Sequence, residues 1–220
     1  MKATPLTEST YNYIVDLVAS SEESLLAVMK SKADAAGIPE IMISPEQARF
    51  IGFFLRAIKA KRVLDIGTLF GYSAAIMSEA VGVDGEVVTL EYEALHAQTA
   101  RKLFRELNLE NISLLQGAAL DHMKTMPDNF FDFIMIDADK LNYVNYLQES
   151  LRLVRNGGII VGDNAMAFGF VADTAMTADN PDFNNVLAIR EFNKKFVGER
   201  SMFSAFATIG DGMMMGVVKK

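Results

Sequence analysis

The chain has 220 residues, half of them apolar, enough to bury one sizeable core and short for two independent domains. It sets 21 Lys and Arg against 28 Asp and Glu, so its formal charge of −7 offers no excess basic surface for a phosphate backbone, and nucleic acid is not the expected partner. Cysteine is absent, which removes disulfides and thiolate metal sites and leaves oxygen ligands for a hard ion.

Met1-Lys2-Ala3-Thr4-Pro5 leads into a stretch with Glu8, Asp16, Glu22 and Glu23, which lacks the apolar core of a signal peptide. Nowhere do about eighteen apolar residues run together, the length a membrane-spanning helix needs, so a cytoplasmic protein without a membrane partner is expected. Over 7–36 the residues Tyr11, Ile14, Val15, Val18, Leu25, Leu26 and Met29 recur at helical spacing and predict two amphipathic helices meeting near Ser21. Ser44-Pro45-Glu46-Gln47 is a helix start, with a capping serine, proline in the first turn and glutamine three residues on; that helix should run to about Ala60.

From there short apolar strands alternate with helical stretches: strand 62–66 and helix 73–81, strand 86–90 and helix 94–107, strand 112–116, strand 131–136 and helix 143–154, strand 158–162. Such alternation predicts an α/β fold of parallel βαβ units. Asn156-Gly157-Gly158 is expected to end a helix and turn into a strand. An irregular loop over 165–181, a last helix over 185–196, and two strands, 202–208 and 213–218, joined as a hairpin around Gly210-Asp211-Gly212, complete the chain. The expected organisation is one domain over 1–220, with a helical cover over 1–60 and a Rossmann-like core over 61–220.

Three clusters carry chemistry. Asp65-Ile66-Gly67-Thr68-Leu69-Phe70-Gly71-Tyr72-Ser73 is a strand end, a glycine turn and a helix start, where backbone can approach a ligand closely. Its GxxxG spacing lacks the GxGxxG of dinucleotide sites, which weighs against a dehydrogenase. Glu91 ends the next strand, where a carboxylate can accept both hydroxyls of a ribose. Two further strands end in acids: Asp137-Ala138-Asp139-Lys140 after an almost wholly apolar run, and Asp163-Asn164. If those strands are neighbours, two carboxylates and an amide oxygen converge in a set that suits Mg²⁺ and leaves positions open for substrate. His96 and His122 have no ligand partner in sequence and are expected to be structural.

These residues resemble the cation-dependent O-methyltransferases, the family of plant caffeoyl-CoA O-methyltransferases, catechol O-methyltransferase and small bacterial relatives. The matches span nearly the whole chain: Asp65-Ile66-Gly67-Thr68 with Gly71-Tyr72-Ser73, Asp137-Ala138-Asp139-Lys140 with Asn142-Tyr143, Asp163-Asn164, and Gly210-Asp211-Gly212. The resemblance implies a Rossmann-like class I methyltransferase fold, a mostly parallel doubly wound sheet with a C-terminal antiparallel hairpin and N-terminal cover helices. It implies that Asp65, Gly67 and Ser73 hold the methionine part of S-adenosylmethionine, Glu91 its ribose, and that Ala119 lies near the adenine. Ile43, Asp137, Asp139 and Tyr143 would also lie by the cofactor. Asp137, Asp163 and Asn164 match the family's metal ligands (Mg²⁺ foremost, with Mn²⁺ or Ca²⁺ as alternatives), and Lys140 matches the base, so Lys140 and Asp137 are the expected catalytic pair. The chain departs from the family pattern at Ile43 in place of threonine, Ala48 in place of glycine, Asp65 in place of glutamate and Leu141 in place of a polar residue.

The implied reaction is methyl transfer to a hydroxyl of a small catechol-like acceptor, with Met166, Phe168, Phe170 and Met176 of 165–181 shaping the acceptor pocket. Some bacterial relatives modify a hydroxylated uridine in tRNA, an alternative acceptor that the acidic charge disfavours. The resemblance also implies a homodimer, for which the first helices and the 202–218 hairpin offer apolar surface.

Overall fold

The computed structural model describes residues 7–18 and 20–220. The segment 1–5 lies outside the described residues. So does Ala19, between the first two helices, Glu8–Val18 (α1) and Ser20–Ala35 (α2). Among the described residues no helix is long and apolar enough to cross a membrane. The third helix, Pro45–Ala57 (α3), starts where Ser44-Pro45 predicts: Gln47 Oε1 accepts the Ser44 backbone N–H at 3.1 Å and its hydroxyl at 3.0 Å, reaching back over the helix start.

The alternating region follows in order: β1 (Arg62–Ile66), α4 (Tyr72–Val81), β2 (Glu86–Glu91), α5 (Ala94–Glu106), β3 (Ile112–Gln116), α6 (Ala119–Thr125), β4 (Phe131–Ile136), a 3-10 turn at Lys140–Asn142, α7 (Tyr143–Leu153) and β5 (Val154–Gly162). A 3-10 segment at Ala167–Ala172, α8 (Phe183–Gly198), β6 (Met202–Ala207) and β7 (Met213–Val218) close the chain. The strands form one sheet in the order β3-β2-β1-β4-β5-β7-β6, in which only the pairings of β7 are antiparallel.

Strand β4 reads as an almost wholly apolar run, broken only by Asp132, because it is buried on both faces. Phe133 and Met135 pack with α2, α3, α4 and α5, and Ile134 and Ile136 pack with α6, α7 and α8. The expected doubly wound sheet is thus present.

Three expectations need correction. Helix α6 falls where no helix is predicted; its seven residues bury only Met123, too little for a periodic signal. The helix expected to reach Val154 stops at Leu153, and Asn156-Gly157-Gly158 lies inside β5 instead of before it. There the register jumps from Phe131 opposite Val154 to Phe133 opposite Ile159, and Gly157 has φ 74°: the glycines make a bulge, which looks like a helix end in sequence. The stretch 165–181, expected as irregular, contains the 3-10 segment, itself kinked at Phe168 and Gly169.

Because β1 lies between β2 and β4, the connections after β1 and β4 depart to opposite sides and leave a crevice at their carboxyl ends. Beneath it sits Asp65 of β1, fully buried. Its Oδ2 accepts Ser73 Oγ at 2.9 Å and Thr89 Oγ1 at 3.0 Å, while Oδ1 has no partner. Burial pushes its pKa up to about 7 against those two hydrogen bonds, and the charges of Asp137 and Glu91 push the same way. Unfolded Asp65 ionises near pH 4 and folded Asp65 near 7, so its ionisation weakens the fold progressively over that window, by up to about 4 kcal/mol. Asp65→Asn should therefore gain stability relative to the parent as pH rises from 4 to 7.5. Urea unfolding across that range checks this, and a pH-independent difference would contradict it.

Candidate active site

Loops from the carboxyl ends of the parallel strands line one cavity of about 970 Å³, joined by the segment before α3 and the β6–β7 turn. The β1–α4 loop makes its tight course with Gly67 at φ 106° and Gly71 at φ 94°. A Cβ on Gly67 would run into the carbonyl oxygen of Asp137, so this loop can lie against the end of β4 only with glycine there. The backbone N–H groups of Thr68 and Leu69 donate to Glu91 Oε2 at 3.2 and 2.7 Å, and that of Glu93 donates to Oε1 at 2.8 Å. Glu91, the last residue of β2, thus ties the loop to the next strand and faces the same cavity.

Gly67, Ser73, Glu91 and Ala119 all line the cavity, as does Ile43 from the segment before α3. Asp65 and Tyr143 do not. Asp65 reaches the wall through Ser73 and, by way of Thr89, through Thr68, and Tyr143, also fully buried, reaches it through Lys140. The two histidines separate. His122 on α6 sits 3.0 Å from the Gln116 carbonyl, whereas His96 lines the cavity with Nδ1 3.5 Å from Glu91 Oε1, a place its polar helical context in sequence does not reveal.

The acidic side of the cavity is built from the ends of β4 and β5, paired in register from Phe133 opposite Ile159 to Ile136 opposite Gly162. Asp137 and Asp163 follow those strands directly and meet at this edge with Asn164 and Lys140. Lys140 Nζ donates to Asp137 Oδ1 at 3.3 Å and to the Tyr143 hydroxyl at 2.6 Å, and it sits 4.7 Å from the Tyr143 ring centre. Burial, with the charges of Asp137, Asp163 and Asp139 adding to it, holds the Tyr143 phenol well above its usual range, so that it stays neutral. Asp139 accepts Tyr146 OH at 2.5 Å and Asn142 Nδ2 at 2.6 Å, which fixes the turn that carries Lys140.

Asp163 is only 3% exposed and accepts Gln47 Nε2 at 2.7 Å. Burial first, then the charge of Asp137, pushes its pKa up to about 7, against its hydrogen bonds from the Asn164 backbone and Gln47 and the charge of Lys140. Asn164 adopts φ 55° and donates its amide nitrogen to Asp211 at 3.3 Å, which leaves its carbonyl oxygen as the free acceptor. Two carboxylates and one amide oxygen form an oxygen-only donor set; among the described residues no three His, Cys, Asp or Glu side chains are grouped to hold a metal ion. Gln47 and Asp211 are residues that sequence reasoning placed only as a helix start and a hairpin turn. They lie 116 and 47 residues from their partners, beyond the reach of any local pattern.

The chain matches the family model described as O-methyltransferase over residues 16–220. It is 36% identical over 212 residues to a catechol O-methyltransferase of Mycobacterium tuberculosis, with 93% of each chain covered. It is equally similar, 36% over 222 residues, to a catechol O-methyltransferase of Niastella koreensis, covering 96% of this chain and 97% of that one. Among solved structures, an O-methyltransferase from Bacillus cereus in complex with SAH superposes with a TM-score of 0.82 at 33% identity, over 96% of this chain and 97% of that one. A model match over nearly the whole length, with relatives of this identity and coverage, makes the chain a member of the O-methyltransferase family.

Proposed function

We propose that this chain, acting as one catalytic domain, transfers a methyl group from S-adenosylmethionine to a hydroxyl of a small aromatic acceptor with two adjacent hydroxyls, assisted by a divalent cation. The observation that carries this reading is that one cavity gathers the glycine loop with Glu91 and the set Asp137, Lys140, Asp163 and Asn164. The cavity is large enough for a nucleoside donor and an acceptor together. Two relatives are named for catechol, and the Bacillus cereus neighbour holds SAH, the demethylated donor.

The residues fit both the donor and the cation. The Gly67–Ser73 turn and the Ala119 end of α6 suit the donor's methionine and adenine parts, and the Glu91 carboxylate suits its ribose hydroxyls. Asp137, Asp163 and the Asn164 oxygen suit Mg²⁺, with Mn²⁺ or Ca²⁺ as alternatives, and a dication would offset the burial and the Asp137 charge that push the Asp163 pKa up. When bound, the donor supplies a methyl carbon on a positive sulfonium, and the cation supplies Lewis acidity that acidifies and orients two neighbouring oxygens.

The chain's own part is proton removal and orientation. Lys140 Nζ takes the hydroxyl proton as the oxygen–carbon bond forms and the carbon–sulfur bond breaks, its electron pair leaving on sulfur. Positive charge passes from sulfur to the lysine ammonium. The neutral Tyr143 phenol, 2.6 Å away, and Asp137 hold Nζ in place for this step.

Purified protein incubated with S-adenosylmethionine and a panel of catechol, caffeate and a caffeoyl thioester should show a metal-dependent gain of one methyl by mass spectrometry; transfer that persists in chelator would overturn the cation's role. Lys140→Ala should lower turnover at least about 100-fold with donor affinity unchanged, whereas an equal loss of donor binding would count against a base at this position. Asp163→Ala should lose metal response and activity together. The same reading includes a homodimer: β6 is one of the two edge strands of the sheet, with Phe203 and Phe206 exposed, so light scattering should give twice the chain mass of 24.2 kDa, and a monomer would contradict it.

A further inference from the structure

The β6–β7 turn has no part in the reaction described above, yet it touches α3, the candidate cation ligand and the loop after β5 at once. A Cβ on Gly210, at φ 54°, would run into the Gln47 side chain. A Cβ on Gly212, at φ 77°, would lie 2.7 Å from Met166 and 3.0 Å from the Phe206 ring. Glycine at both positions lets the turn seat that closely and sets Asp211 between the two contacts.

The Asp211 carboxylate accepts the Phe168 N–H at 2.8 Å on Oδ1 and 3.0 Å on Oδ2, and Asn164 Nδ2 at 3.3 Å on Oδ2. The main chain reinforces the join: Met166 N donates to the Asp211 carbonyl and Ala165 N to that of Gly212, both at 2.9 Å. The held segment is not relaxed, because Asn164, Ala167 and Phe168 sit at φ 55°, 47° and 54°, a region costly for residues with a Cβ. Phe168 is 77% exposed, so packing of its ring does not hold it there; its backbone is gripped by Asp211. Phe168, Asn164 and Asp211 line the same cavity.

We propose that Asp211 is a positioning residue that couples the cation ligand Asn164 to the acceptor loop, so that cation binding and order of the loop rise and fall together; this rests on the reading of Asn164 as a cation ligand. An ionised carboxylate only accepts, so Asp211 takes the amide nitrogen of Asn164 and keeps the oxygen free for the cation. A cation drawing on that oxygen polarises the amide and strengthens its N–H bond to Asp211, which restrains the carboxylate from which the Phe168 N–H hangs.

The test needs no turnover: Mn²⁺ affinity by calorimetry, and hydrogen–deuterium exchange of peptides covering 164–173 with and without Mn²⁺. In the parent chain Mn²⁺ should slow exchange across that segment. In Asp211→Asn an amide nitrogen can face that of Asn164, so Mn²⁺ should bind about 10- to 100-fold more weakly, with metal-free exchange near the parent's because one acceptor for Phe168 remains. Asp211→Ala should weaken Mn²⁺ similarly, speed metal-free exchange and abolish the Mn²⁺-induced slowing. Asp211→Asn carries the test if the alanine variant fails to fold. Weaker Mn²⁺ binding with unchanged Mn²⁺-induced slowing would reduce Asp211 to a simple negative charge and overturn the coupling, as would parent-like Mn²⁺ affinity in both variants. A parent chain that binds no Mn²⁺ would overturn the reading of Asn164 itself, and the proposal with it.

Discussion

The structure depends on carboxylates placed where water scarcely reaches them. Strands buried on both faces end at the same edge of the sheet in Asp137 and Asp163, and Asp163 is almost wholly withdrawn from solvent. Ionised acids in such a position need a countercharge or several donors. The protein supplies Asp163 with the Gln47 amide and the Asn164 backbone N–H, and sets Lys140 Nζ, shared between Asp137 and Tyr143, beside the pair. On the proposed reading the remaining charge is the cation's to balance, and what brings the acids together also makes their site reactive.

The neighbouring edge works by the same logic with backbone in place of metal. Glu91 is nearly as buried, and three backbone N–H groups, two from the glycine loop and one from Glu93, satisfy its oxygens. Gly67 permits this because its missing Cβ lets the loop rest on the Asp137 carbonyl. The loop proposed to hold the donor and the strand end proposed to hold the cation are therefore in direct contact. A side chain at Gly67 would disturb both.

Much of this was legible in the sequence because burial leaves a compositional trace. The run from Phe131 to Ile136 reads as a strand because neither face sees water, and acids immediately after such runs stand out. Short or exposed pieces leave no such trace. Helix α6 buries one residue, and the Gly157-Gly158 bulge imitates a helix end. Depth was equally hidden, since nothing in Asp65 or Tyr143 as residue types says that they stand behind the cavity wall while Ser73 and Lys140 face into it. Gln47 and Asp211 could be quoted from motifs, but their contacts with Asp163 and Asn164 exist only through the packing of α3 and of the β6–β7 turn on the edge of the sheet.

Anomalous diffraction from crystals grown with Mn²⁺ and S-adenosylhomocysteine tests whether Asp137, Asp163 and Asn164 hold a hard divalent cation. One strong anomalous peak is expected within about 2.0–2.5 Å of an oxygen from each of the three side chains. A peak elsewhere, or none at saturating Mn²⁺, would contradict it.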